Sequence, residues 1–259
     1  MNISVICQKD GFVIPENIYL LQKIKKVNII SVFQVSSKGS LVNKKSLFFR
    51  GFGLHQSFKL GILLIKNSFL NFIDSIFFYK LKLLKSPKSA AYSLNASFFE
   101  ISEINSKFFK SHLEEKKIDL VISYSAPSII NKEILCIPKE GCINLHCSLL
   151  PKYSGLLPSF WTLFHDEKLI GASVHFMDSK IDNGEILGQE KIERPKYCSM
   201  YEAIKLTKGI GGKLMLKVIN QILDGSLEKK ENLQKQEHYR SWPSLKDIKN
   251  FKKRGGKLI

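Results

Sequence analysis

Apolar residues along the chain fall into two rhythms. Short runs at Ile3–Cys7, Val27–Val32, Phe98–Ile101, Ile118–Ser123 and Gly141–His146 have the length and make-up of strands. Between them lie segments whose apolar positions return every three or four residues. These are Glu16–Lys26 behind Pro15, Ser106–Lys117, Pro127–Leu135, Leu157–Asp166 and Met200–Leu223, each predicted as a helix. Ile170–Met177 and Glu185–Lys191 read as a pair of strands around a loop. Ser37–Gly53 is polar and basic with three glycines, which predicts a surface loop, and Lys85–Asn95, with Pro87 and three serines, predicts a linker. Strand–helix alternation of this kind predicts an α/β fold: a mostly parallel sheet with helices on both faces.

Leu54–Leu84 is the longest helical stretch. Lys66, Asn67, Asn71 and Asp74 interrupt its apolar run, so it falls short of the roughly 20 apolar residues that span a bilayer. Ile62, Ile65, Phe69, Phe72, Ile73 and Ile76 recur at helical spacing, and the expectation is a helix packed on the core by that face. A helix on a membrane surface, or at a subunit contact within a homo-oligomer, is the alternative.

The chain has 259 residues, 44% of them apolar, which is enough to bury a sizeable core. Residues 1–225 read as one main domain. Residues 226–259 read as a short basic tail, with ten basic and four acidic side chains and Tyr239, Trp242 and Phe251 dispersed among them. The tail is expected to pack back on the core; a contact strip for a nucleotide or RNA is the other reading. Lys and Arg number 40 against 23 Asp and Glu, a formal charge of +17, which reflects either biased composition or an anionic partner. Five cysteines include no C-x-x-C pair, and the N-terminus has no basic and apolar leader. A reduced, cytoplasmic protein is expected.

Candidate chemistry concentrates in Gly141-Cys142-Ile143-Asn144-Leu145-His146-Cys147-Ser148-Leu149-Leu150-Pro151. On a strand, Cys142, Asn144 and His146 share one face, and Asn144 and His146 point together from its C-terminal end, where ligand crevices of open α/β sheets lie. Cys142 and His146 are roughly 13 Å apart at strand rise, too far to share one metal ion, so no metal is expected. A second segment, His175-Phe176-Met177-Asp178-Ser179-Lys180-Ile181-Asp182-Asn183-Gly184, runs from a strand into a tight polar loop. Alone, Asp178 and Asp182 there read as a simple hairpin turn. His175 either lines the same cleft or is buried on its strand.

Together, Asn144-x-His146-x-Ser148-Leu149-Leu150-Pro151, Gly155, and His175-x(6)-Asp182-x-Gly184-x-Ile186 resemble the signature of the folate-dependent formyltransferases, which act on methionyl-tRNA, glycinamide ribonucleotide or sugar nucleotides. The resemblance runs from about Ile118 to Glu193. It implies a formyltransferase-type, Rossmann-like fold and 10-formyltetrahydrofolate as donor. It implies catalytic roles for Asn144, His146 and Asp182. It also implies a folate pocket drawn from Tyr124, Ser125 and Ala126, from the rim Ser148, Leu149, Leu150 and Pro151, and from the loop between Asp178 and Asp182. These residue types suit the chemistry. A carboxamide donates to a developing oxyanion without titrating, an imidazole exchanges protons near neutral pH, and a carboxylate orients the imidazole or takes a proton from the amine.

Departures from the family bear on the acceptor. Glycinamide ribonucleotide enzymes hold a phosphate on a Gly-rich turn after the first strand, whereas Cys7-Gln8-Lys9-Asp10-Gly11-Phe12 has one glycine. Methionyl-tRNA enzymes carry a further C-terminal β domain, whereas the basic tail alone follows Leu223 here. The expected acceptor is therefore a small amine, anionic and best matched by an amino-sugar nucleotide, with tRNA disfavoured. A non-catalytic basic binding protein on the same fold is the competing class.

Overall fold

The computed structural model describes residues 1–36, 44–126 and 128–259. In chain order the strands are β1 (Asn2–Cys7), β2 (Asn28–Val35), β3 (Ser97–Ile101), β4 (Leu120–Tyr124), β5 (Cys142–His146), β6 (Ser154–Gly155), β7 (Leu169–Phe176), β8 (Ile186–Glu193) and β9 (Tyr239–Arg240). The α-helices are α1 (Ile14–Leu20), α2 (Lys44–Phe52), α3 (Leu54–Ile76), α4 (Pro87–Ser93), α5 (Lys107–Glu115), α6 (Lys132–Leu135), α7 (Pro158–Phe164), α8 (Met200–Asp224) and α9 (Leu245–Lys253).

Seven strands form one sheet in the order β3-β2-β1-β4-β5-β7-β8. The first five run parallel; β7 joins antiparallel to β5, and β8 antiparallel to β7. The mostly parallel α/β sheet predicted from the chain's rhythm is the one observed. Strand order reverses between β1 and β4, and the C-terminal ends of strands at such a reversal are where open α/β sheets bind ligands. Alternate residues of β1 serve opposite faces. Ile3, Val5 and Cys7 join Ile14, Ile18, Leu214 and Val218 on one side, while Ile6 joins Phe33, Phe109 and Leu113 on the other. Each such side chain, removed from water, contributes about 1.5–3 kcal/mol.

Local chemistry sets several helix boundaries. Ser199 and Glu202 close a capping box at the start of α8, and Gly225 ends that helix in the left-handed region. The segment read as a linker contains α4 instead. Ser86 caps it through a bond from the Ser89 N–H, and its buried face is Ala90 and Ala91, too small to mark an apolar stripe. The predicted loop at Ser37–Gly53 contains α2, with the residues of that prediction from 37 to 43 outside the described set. Phe52 ends α2 at 1% exposure and meets the Phe251 ring edge-on at 6.1 Å. The helix predicted at Pro127–Leu135 is confined to α6; Pro127 itself lies outside the described residues.

A second core unites distant parts of the chain. Phe52, Phe160, Trp161, Met200, Ile248, Phe251 and Leu258 pack together, so that α9 and the last residues close over α7. The Trp161 Nε1–H donates to the Ser241 carbonyl at 2.9 Å.

The expectation that α3 packs by its apolar side is overturned. A mixed side faces the body, with Leu60, Leu63, Leu70 and Ile73 partly buried beside polar anchors: Asn67 Nδ2 donates to the Gly11 carbonyl at 3.0 Å, and buried Asp74 accepts from the Leu83 N–H and the Ser89 hydroxyl. The apolar stripe faces outward. The helix also stops at Ile76 rather than Leu84, because Phe78, Tyr79, Lys82 and Leu84 take positive φ. No helix among the described residues is long and apolar enough to cross a membrane.

Candidate active site

Strand β5 lies between β4 and β7 and carries Asn144 and His146 on one face. Asn144 sits opposite His175 of β7 in the antiparallel register, which sets the two side chains next to each other. The Asn144 Nδ2 is 3.2 Å from the His175 Nε2. After β7 the chain turns through the loop that bears Asp182 and returns as β8. Asp178 shapes that loop by accepting from the Lys180 N–H and the Asn183 amide. Asp182 takes φ +48°, a left-handed conformation that a short polar residue tolerates. Gly184 allows the loop to close, since a Cβ there would stand 2.1 Å from the Phe176 carbonyl oxygen.

Asp182 lies between two imidazoles. Its Oδ2 is 3.3 Å from the His146 Nδ1, its Oδ1 is 3.4 Å from the His175 Nε2, and the Gly155 N–H donates to Oδ2 at 2.8 Å. Burial alone would raise its pKa. The two rings and the Gly155 N–H outweigh burial and hold the carboxyl well below the usual carboxylate range.

Each ring is pinned by its other nitrogen. His146 Nε2 lies 2.8 Å from the Tyr153 carbonyl, and His175 Nδ1 lies 2.7 Å from the Phe176 carbonyl. A carbonyl only accepts, so both nitrogens carry hydrogen. The His175 Nε2 stands within reach of both the Asn144 amide and the Asp182 carboxylate, so one ring ties the carboxamide to the acid. On His146, Nδ1 faces the Asp182 carboxylate, so the two form a couple that can share a proton.

The structure thus brings Asn144, His146 and Asp182 together and adds His175. The other candidates behave differently. Tyr124 is buried in the main core at 1% exposure. Ser125 follows at φ +63°, and the Ala126 N–H donates to the Ser123 hydroxyl, which places this turn beside the reversal between β1 and β4. In the 148–151 rim, Ser148 and Leu150 are buried; Ser148 Oγ donates to the Lys152 carbonyl, and Leu150 N–H donates to the Ser173 hydroxyl. Those two build the turn, while Leu149 and Pro151 are partly exposed. Among the described residues no three His, Cys, Asp or Glu side chains have the arrangement to hold a metal ion.

Two groups of residues escape the sequence reading. The first is the polar stretch before α9. Asn232 Nδ2 donates to the carbonyls of Asp182 and Gly184, and Gln234 Nε2 donates to the Asp182 carbonyl. Strand β9 pairs with β6, and Gly155 is required there because a Cβ would stand 2.3 Å from the Arg240 carbonyl oxygen. No spacing signal links these positions to Asp182. The second group lies after β1. Asp10 Oδ1 accepts from the N–H groups of Phe12, Val13 and Ile14, and its Oδ2 is 2.8 Å from the Lys208 Nζ. The amides that would cradle a phosphate there are already occupied by the chain's own carboxylate.

The formyl transferase family model matches residues 78–207, the stretch that carries all four converging side chains. Over 129 residues the chain is 36% identical to methionyl-tRNA formyltransferase of Clostridium tetani, an alignment taking in 50% of this chain and 42% of that one. The chain therefore aligns with less than half the length of that relative. Among solved structures, a sugar N-formyltransferase from a Shewanella species is similar with a TM-score of 0.60 and 15% identity, over 93% of this chain and 77% of that one. Phosphoribosylglycinamide formyltransferase from Bacillus halodurans gives 0.60 and 14%, over 91% and 100%.

Proposed function

The chain belongs to the formyl transferase family, and we propose that it moves the formyl group of 10-formyltetrahydrofolate to a primary amine, with Asn144, His146 and Asp182 as the catalytic set. The observation that carries this reading is the Asp182 carboxylate held between His146 and His175, one of which also reaches the Asn144 amide. The donor set fits a folate formyl group: a neutral amide N–H, a carboxylate and two imidazoles stand together at the strand ends. When bound, the folate supplies an activated formyl carbon on a nitrogen leaving group.

The protein's part is positioning and proton transfer. The side-chain amide of Asn144 stabilises the negative charge that develops on the formyl oxygen as the neutral amine attacks, a contribution that amounts to about 100-fold or more in rate. As the new C–N bond forms, the amine's proton passes to the Asp182–His146 couple, directly or through one water. The same couple returns a proton to the departing nitrogen as the old C–N bond breaks, so the site ends in its starting state. His175 acts through Asn144 and Asp182 and is a positioning residue. No cysteine is needed as a nucleophile.

For the acceptor, the 36% identity to a methionyl-tRNA enzyme supports the amine of methionyl-tRNA, and a charge of +17 suits a polyanionic carrier. An amino-sugar nucleotide, the acceptor expected from the sequence, shares that phosphate-bearing character and is the second reading. The test incubates the whole chain and 10-formyltetrahydrofolate with methionyl-tRNA or amino-sugar nucleotides and reads the mass gain of one formyl group. Gain on methionyl-tRNA is the expected result, and gain on a sugar nucleotide alone replaces the acceptor. Neither turnover with any amine nor folate binding would leave a basic binding protein on this fold.

A further inference from the structure

Helix α3 leaves a continuous apolar stripe on its outward side. Phe58, Ile62, Ile65, Phe69, Phe72 and Ile76 follow the alternating three-and-four spacing that keeps side chains on one line, and each is more than half exposed. The side that faces the protein carries partly buried Leu60, Leu63, Leu70 and Ile73 together with Asn67, bonded to Gly11, and the fully buried Asp74. Three polar atoms on that helix, Ser57 Oγ, Asn71 Oδ1 and Asp74 Oδ1, are buried without a hydrogen-bond partner. A chain that buries polar groups and leaves six large apolar ones in water has a use for the apolar stripe.

Charge identifies what that use is. Lys59 and Lys66 are exposed one residue round the helix from Phe58 and Ile65, and the helix's one acidic side chain, Asp74, is buried. Beyond the helix the apolar surface continues through Phe77, Phe78 and Leu81, with exposed Lys80 and Lys82 among them. A second copy would meet this stripe with lysines and no carboxylates, and would bring together two bodies of charge +17. It would also leave the Phe77–Lys82 continuation unmatched by a helix seam. A flat surface with an apolar interior and an anionic rim satisfies both features: the rings and branched side chains sink, and the lysine stems reach out to the headgroups.

We propose that the outward face of α3, extended by Phe77, Phe78 and Leu81, is a docking surface for an anionic lipid bilayer, on which the helix lies flat. The inference is independent of the formyl-transfer reading, because it uses none of the residues of the candidate site.

The test is co-sedimentation of the whole chain with phosphatidylglycerol vesicles and, separately, phosphatidylcholine vesicles. The parent should bind the anionic vesicles and not the neutral ones. Because a chain of charge +17 can adhere to any anion, the deciding variant keeps every charge: Ile65→Ser, Phe69→Ser and Phe72→Ser together. It should bind at least roughly tenfold more weakly, with an unchanged circular dichroism spectrum and melting temperature. Lys59→Glu with Lys66→Glu should weaken binding and flatten its salt dependence. Binding by the triple serine variant equal to that of the parent would show simple charge adhesion and overturn the proposal. So would absence of vesicle binding together with a parent dimer that the triple variant converts to monomer, which would assign the face to a second copy.

Discussion

Asp182 and Asn232 are fifty positions apart in the chain, yet the Asn232 side-chain amide donates to the Asp182 carbonyl at 2.8 Å. The same amide reaches the Gly184 carbonyl at 3.1 Å, and Gln234 adds a second donor to Asp182. Asn232 is itself 8% exposed. The loop that aims the carboxylate is thus held from outside by the stretch that leads to α9. Asn232→Ala should lower kcat/KM for formyl transfer by on the order of tenfold to a hundredfold, since small misplacement of a reacting group is expensive in rate. Donor binding should change little. Steady-state kinetics beside a melting curve checks this; unchanged turnover in a folded variant would make the clamp merely structural.

The carboxylate and the carboxamide should fail in different ways. Asp182→Asn keeps an acceptor for the Gly155 N–H but removes the charge between His146 and His175. Asn144→Ala removes the oxyanion donor and its contact with His175 Nε2. We expect at least roughly 100-fold loss of kcat in each, with the pH dependence of the residual rate altered in Asp182→Asn and preserved in Asn144→Ala. Profiles of kcat against pH for both variants distinguish the two roles. Wild-type turnover in Asp182→Asn would remove that residue from the mechanism.

How much of this was legible in the chain depends on how local the determining contacts are. The alternation that places Asn144 and His146 on one face of β5 is a property of five consecutive residues, and the loop bearing Asp182 announces itself through Gly184. Helix α2 was not legible, because what orders it is Phe52 against Phe251, about three quarters of the chain away. Helix α4 hid behind Pro87 and three serines, because Ala90 and Ala91 bury without making a stripe. The periodicity of α3 was read correctly as amphipathic and wrongly as to which side is buried, since period alone says that a stripe exists and not what covers it. Asn232 and Gln234 stand in a polar stretch where nothing distinguishes a clamp from a solvated surface.

Asp10 and Lys208 form an ion pair at 2.8 Å, with both side chains only 10% exposed. Asp10→Asn retains an oxygen for the N–H groups of Phe12, Val13 and Ile14 but leaves the ammonium without its counter-charge. Breaking one side of a buried pair costs about 3–5 kcal/mol. For a chain of this size the melting temperature should fall by roughly 10 °C. The double variant Asp10→Asn, Lys208→Met should recover much of that loss, because it removes the stranded charge as well. A double variant no more stable than Asp10→Asn would show that capping of α1, rather than the pair, carries the stability.

The same two carboxylates set the acid behaviour of the fold. For Asp10 burial opposes ionisation, and the Lys208 ammonium and the α1 amides reverse that effect, so its pKa is lowered in the folded chain, as is that of Asp182. In the unfolded chain both return to near 3.8. Below that value the unfolded state binds more protons than the folded state, so stability falls as pH falls. Their contribution is complete above about pH 5 and is lost progressively as the pH drops through the folded-state values. The urea midpoint should therefore decline steeply between about pH 5 and pH 3, and the decline should be shallower in Asp10→Asn and in Asp182→Asn, each of which has one such carboxylate fewer. Equal pH slopes for the parent and both variants would mean that other groups govern acid unfolding.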